Sequence, residues 1–119
     1  MNNKIYYLAT CSTCKRIMTE LGITADNFTL QDIKTEKITA KQLDEMKALA
    51  GSYEALFSRR SMQYAAMGLK DKALTEKDYR QLILDEYTFL KRPVAIVGKE
   101  IFVGNTKAVV DALKEKITA

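Results

Sequence analysis

The sequence has 119 residues, 47% of them hydrophobic, which suffices for one domain that buries a core and folds without metal or disulfide staples. Its net charge of +4 is spread over interleaved basic and acidic residues, and the absence of a concentrated basic stripe excludes the usual signature of direct nucleic-acid binding. Two cysteines and no histidine exclude Cys–His nucleophile pairs and histidine-based metal sites; a small anionic substrate stays compatible with the charge.

The N-terminal apolar run, Ile5 to Ala9, is too short for a signal-peptide core. No run approaches the roughly 18 apolar residues of a membrane span. The expected location is the cytoplasm, with no membrane partner.

The elements follow in chain order. Lys4 to Ala9 (KIYYLA) is rich in β-formers and predicts a first strand. The turn Cys11-Ser12-Thr13-Cys14 follows, then a helix over Lys15 to Leu21 that Gly22 closes. Asn27 to Ile33 carries apolar Phe28, Leu30 and Ile33 and predicts a second strand, so the opening unit is a parallel, right-handed βαβ. Thr39-Ala40-Lys41-Gln42 has the pattern of a capping box. It starts a helix with Leu43, Met46, Leu49 and Ala50 on one face, ended by Gly51. Tyr53 to Met67 reads as helical but broken, with Gly68 as a stop and Met62, Tyr64 and Met67 as core. Thr75 to Asp78 is a second capping signal, after which Tyr79, Leu82, Ile83, Tyr87 and Leu90 recur at helical spacing.

The last third turns to β-strand. Val94 to Val97 and Glu100 to Val103 flank Gly98-Lys99, a two-residue loop of the type II′ kind. A final helix over Lys107 to Ile117 presents Val109, Val110, Leu113 and Ile117. The expected fold class is α/β, a four-stranded mixed sheet in the order βαβ, helical block, ββα.

Both cysteines lie in one Cys-x-x-Cys at a strand-to-helix junction. The thiolate is the reactive form, and a helix N-terminus favours it through free N–H donors and partial positive charge. Cys11 falls just before the helix and Cys14 in its first turn, with Lys15 and Arg16 adding positive potential. Cys11 is the candidate nucleophile and Cys14 the residue that resolves a mixed disulfide. Two plainer readings compete. Half of a zinc site would need about four ligands, hence a second chain, and a pair of core cysteines would not sit in a turn.

Three segments stand out together: Tyr7 to Arg16 (YLATCSTCKR), Leu56 to Ser61 (LFSRRS), and Phe89 to Val94 (FLKRPV) running into Val103-Gly104. With them the chain resembles the arsenate reductase/Spx family, a branch of the thioredoxin-like fold with a helical insertion. The resemblance implies one thioredoxin/glutaredoxin-like domain over 1–119 with the insertion at about 37–90. It implies that Cys11 is the redox-active cysteine, that Arg60 and Arg92 line an anion pocket, and that Pro93 is a cis-proline facing that cysteine. Pro93 is the sole proline and opens a strand, where proline is tolerated, and a cis X–Pro bond costs only about 0.5–1 kcal/mol. Forked, permanently charged guanidinium groups suit oxyanions, and Lys15 is a further candidate on the anion side. Read without the family, Arg59, Arg60 and Arg92 fit solvated surface charge better, the commoner fate of an arginine, and the register of Arg59-Arg60 stays open by one residue.

The sequence also departs from the glutaredoxin-coupled arsenate reductases. Those have serine where Cys14 stands, His-Asn-Pro before the active cysteine, and a third arginine near the C-terminal hairpin. Here Leu8-Ala9-Thr10 precedes Cys11, and Ile101 to Asn105 contains no arginine. The Cys-x-x-Cys resembles that of Spx, the regulator whose disulfide state controls binding to the C-terminal domain of the RNA polymerase α-subunit. Two functions are therefore expected. One is a thiol–disulfide oxidoreductase acting on a small oxyanion or a disulfide, with no bound cofactor or metal and with glutathione, glutaredoxin or thioredoxin as reductant. The alternative is an Spx-like redox-switched regulator of RNA polymerase.

Overall fold

The computed structural model describes residues 3–118; residues 1, 2 and 119 of the expected domain lie outside the described residues. The chain divides into two compact units, one formed by the residues up to Lys37 and from Arg92 onward, the other by Ile38–Lys91.

The first unit is built on a sheet in the order β2-β1-β3-β4, with β1 at Lys4–Tyr7, β2 at Thr29–Asp32, β3 at Val94–Val97 and β4 at Glu100–Val103. β1 and β2 are parallel, while β3 runs antiparallel to both β1 and β4. This is the expected α/β class with a mixed four-stranded sheet. Helix α1 (Ser12–Glu20) makes the β1–β2 crossover, and α5 (Lys107–Thr118) packs on β3 and β4. One sheet face and these helices enclose Ile5, Met18, Ile23, Phe28, Ala95, Val97 and Leu113. Burying an aliphatic or aromatic side chain of this size contributes roughly 1.5–3 kcal/mol, so this cluster holds α1 and α5 to the sheet.

Helix α1 starts three residues earlier than the spacing predicts, and Cys14 with Ile17 and Met18 forms its buried stripe. At its end Gly22 takes φ 68°, and the Ile23 and Gly22 N–H groups donate to Met18 and Thr19 carbonyls at 2.8 and 3.2 Å. That is a Schellman end, which needs the left-handed residue that glycine supplies without strain. In the β3–β4 turn Gly98 has φ 64° and no described residue other than glycine has positive φ, which fits a type II′ and rules out a type I′ turn.

The second unit contains α2 (Ala40–Ala50), α3 (Met62–Ala66) and α4 (Glu76–Asp85), with 3-10 turns at Glu54–Leu56, Leu69–Asp71 and Tyr87–Phe89. Both capping boxes form as the sequence predicts, Thr39 with Gln42 and Thr75 with Asp78. The Phe57 ring lies stacked at 5.0 Å from Phe89 and tilted at 4.9 Å from Tyr79. This unit departs from expectation in three places. The helical spacing read through Tyr87 and Leu90 stops with α4 at Asp85 and a 3-10 turn takes over, and Leu49, expected on the apolar face of α2, is 41% exposed. Met62 is 88% exposed and Met67 46%, and α3 buries none of its residues. The ring cluster fills the interior that Met62 and Met67 were expected to fill.

Candidate active site

Tyr7 ends β1, and the chain turns through Leu8 so that the Cys11 N–H donates to the Leu8 carbonyl at 2.9 Å. Cys11 then caps α1 with extended backbone, φ −90° and ψ 111°, and its carbonyl accepts the Lys15 N–H at 3.2 Å. The first turn of α1 contains no acidic side chain, so nothing there opposes an anion at the helix start.

Both cysteines are free thiols, Cys11 half-buried and Cys14 fully enclosed at 0% exposure. Their environments push them apart. Burial raises the Cys11 thiol, but the Cys14 N–H, the Cys14 thiol, the Thr13 N–H and the Arg92 charge together hold it below the ordinary thiol value. Burial pushes Cys14 up to about 11, helped by its hydrogen bond to Cys11 and by the Cys11 charge, against the Leu8 N–H and Arg92. One sulfur is thus set to ionise and its neighbour to keep its proton.

Arg92 and Pro93 stand just before β3. Because Val94 pairs with Tyr6 at the end of β1, the start of β3 and the loop after β1 share one end of the sheet. The Arg92–Pro93 bond is cis and Pro93 is buried. Asn105 donates its side-chain N–H to the Arg92 carbonyl at 3.2 Å, and the Gly104 N–H donates to Pro93 at 2.9 Å. Cys11, Cys14, Arg92 and Pro93 therefore all belong to one end of the first unit. Lys15 is exposed on α1, and Arg16 is engaged with Glu20 at 3.3 Å. Arg60 belongs to the second unit, exposed in the turn before α3.

Two contributors escape sequence reasoning. The Leu8 N–H acts on Cys14 through backbone, which no side chain announces, whereas the Thr13 N–H is one of the helix-start donors expected from the sequence. Asn105 reads in sequence only as a breaker after Gly104, although an amide donor following a hairpin is a usable signal. Among the described residues, no three His, Cys, Asp or Glu side chains gather as a metal site would require. No helix among them is long and apolar enough to cross a membrane.

A mixed sheet of this order, with a Cys-x-x-Cys at the first helix start and a cis-proline opening the third strand, defines a thioredoxin-like protein. The chain belongs to the ArsC family, whose model matches residues 6–113. Among solved structures it is similar to an arsenate reductase from Vibrio cholerae, with 14% identity, TM-score 0.76, and 96% of this chain and 97% of that chain covered. It is similar to an arsenate reductase (ArsC) related protein from Brucella melitensis, with 24% identity, TM-score 0.71, and coverage of 94% and 93%. It is also similar to a "possible arsenate reductase" from Streptococcus mutans UA159, with 25% identity, TM-score 0.73, and coverage of 93% and 96%. No curated protein matches the chain. Family membership supports a thiol-based redox function.

Proposed function

We propose that this protein is a thiol–disulfide oxidoreductase in which Cys11 is the nucleophile and Cys14 the resolving thiol. The observation that carries this reading is the split pair, a half-exposed Cys11 with a depressed pKa beside a fully enclosed Cys14 with a raised one. The Cys11 thiolate attacks one sulfur of a disulfide substrate, forming a mixed disulfide and expelling the other sulfur as thiolate. Two influences that keep Cys14 protonated, its hydrogen bond to the Cys11 thiolate and that charge, end once Cys11 is bonded to substrate. Cys14 then loses its proton and attacks the Cys11 sulfur, forming the Cys11–Cys14 disulfide and releasing the second thiolate. Two electrons pass from the protein to substrate, and two glutathione thiols, or a glutaredoxin or thioredoxin dithiol, return them.

A small oxyanion such as arsenate fits the same scheme. Cys11 displaces an oxygen of arsenate as water, and attack of Cys14 at the Cys11 sulfur releases arsenite with arsenic reduced by two electrons. On the first unit Arg92 and Lys15 are the cations suited to an anion at Cys11; the resemblance to the arsenate reductases adds Arg60 and Pro93 to the residues proposed for it.

Reduction of a model disulfide and of arsenate, each coupled to glutathione and glutaredoxin, tests this. Cys11→Ser is expected to abolish turnover, and Cys14→Ser, mixed with substrate before glutathione or glutaredoxin is added, to hold the substrate on Cys11. Full activity in Cys11→Ser would end the proposal. The Spx-like alternative draws on the same Cys-x-x-Cys; if one redox state and not the other captured the RNA polymerase α-subunit, that alternative would be favoured.

A further inference from the structure

Two adjacent arginines stand in the turn before α3, and their surroundings differ. The Arg59 guanidinium pairs with Glu54 at 2.8 Å and donates to the Tyr79 hydroxyl at 3.0 Å. It lies 5.7 Å above the Tyr79 ring centroid and 6.0 Å from that of Phe57. Arg60 is exposed, and no ion pair among the described residues involves it; its backbone N–H donates to Ser58 Oγ at 3.3 Å.

The turn is fastened on its other side as well. The Ser58 N–H donates to the Phe89 carbonyl at 2.6 Å, and the Lys91 N–H donates to Leu56 at 2.8 Å. Ser61, nearly buried, shares a 2.7 Å hydrogen bond with Thr88, which in turn donates to Glu86 at 3.2 Å. The backbone on both flanks of Arg60 is thus tied down, while its side chain is left to solvent.

We propose that Arg59 is a positioning residue whose guanidinium, held by Glu54 and Tyr79, fixes the turn from which Arg60 meets an oxyanion. This rests on the oxyanion part of the proposed function. It divides two neighbouring cations that sequence cannot separate, one internal fastener and one ligand. Both contacts come from one nitrogen, Nη2, and the Glu54 carboxylate beside it offsets the guanidinium charge and repels a second anion, which makes Arg59 the poorer ligand of the two. A misplaced turn would also move the Arg60 fork off its target, and positioning errors of this kind lower affinity steeply.

The test is direct anion binding, with sulfate titrated calorimetrically into reduced protein and arsenate into the Cys11→Ser protein, so that neither anion is turned over. R59M and E54Q are each expected to weaken arsenate binding by about tenfold. The double variant should be no weaker than either single one, because both break one linkage. R59K should restore part of the loss, since it keeps a cation on Glu54. The pH profile of Cys11 alkylation should stay that of the wild type. If R59M weakens binding while E54Q leaves it unchanged or tighter, Arg59 is itself an anion ligand and the proposal is overturned. Unchanged affinity in both variants overturns it equally. Failure of the oxidoreductase reading would appear separately, as absent disulfide exchange at Cys11, since anion affinity is read with no turnover.

Discussion

The Cys14 thiol donates to the Cys11 sulfur from within the first turn of α1. This bond favours the Cys11 thiolate, as do the Cys14 and Thr13 N–H groups, which survive truncation of the Cys14 side chain. The Cys14→Ala protein is therefore expected to show a Cys11 pKa above the wild-type value yet still below 9.0, the ordinary thiol value. Iodoacetamide alkylation rates against pH, followed by mass spectrometry, measure both. An unmoved profile would remove the side-chain hydrogen bond from the account.

The alkaline limit of stability follows from Cys14. Its pKa is raised in the fold, so the native state holds its proton more tightly than the unfolded chain. Its contribution is complete below the unfolded value of 9.0 and is lost as pH rises toward about 11. Urea unfolding of reduced protein across that window should show a decline of roughly 2–3 kcal/mol attributable to this thiol. Cys14→Ala should flatten that part of the curve. A slope indifferent to the substitution would contradict the burial assigned to the sulfur.

At the acid end the group to watch is Asp44. The Arg80 fork, donating at 2.9 and 3.2 Å, and the Tyr53 hydroxyl at 2.5 Å hold its carboxyl down to about 2. Its pKa is depressed in the fold, so the stabilisation is complete above 3.8 and lost as pH falls toward 2. Thermal melts between pH 5 and 2 should place the wild type above R80M at the upper end, with the two converging at the lower end. The side chains are largely solvated, so added salt should shrink the difference.

Phe57 is fully enclosed among Phe89, Tyr79 and Tyr64. Phe57→Ala is expected to cost about 3–5 kcal/mol in chemical denaturation, and Phe57→Leu considerably less. A loss under 1 kcal/mol for the alanine variant would mean that the ring cluster does not organise this unit.

Local signals account for what the sequence made legible. The capping boxes at Thr39 and Thr75 join groups three residues apart, and the β3–β4 turn rests on Gly98 alone. The residues from Tyr53 to Met67 obey no local rule of that kind. The Glu76 carboxylate, more than twenty positions along, accepts the Tyr53 and Glu54 N–H groups at 2.7 and 3.0 Å. The bridge between Phe57 and Leu90 then sets the following backbone. Partners that distant leave no periodicity to read, which is why the segment suggested a broken helix with buried methionines. In the candidate site the thiol pair and its helix were readable because they are contiguous. The Arg92 charge on both sulfurs and the engagement of Arg59 depend on the folded chain.

The complete enclosure of Cys14 has a kinetic side. A bulky electrophile can reach only one sulfur per molecule while α1 stays wound, so the second label can enter only as often as that helix opens. The interval between first and second modification is then a clock for local unfolding at the N-terminal end of α1. The same enclosure keeps a reserve thiol intact when the outer one has been spent.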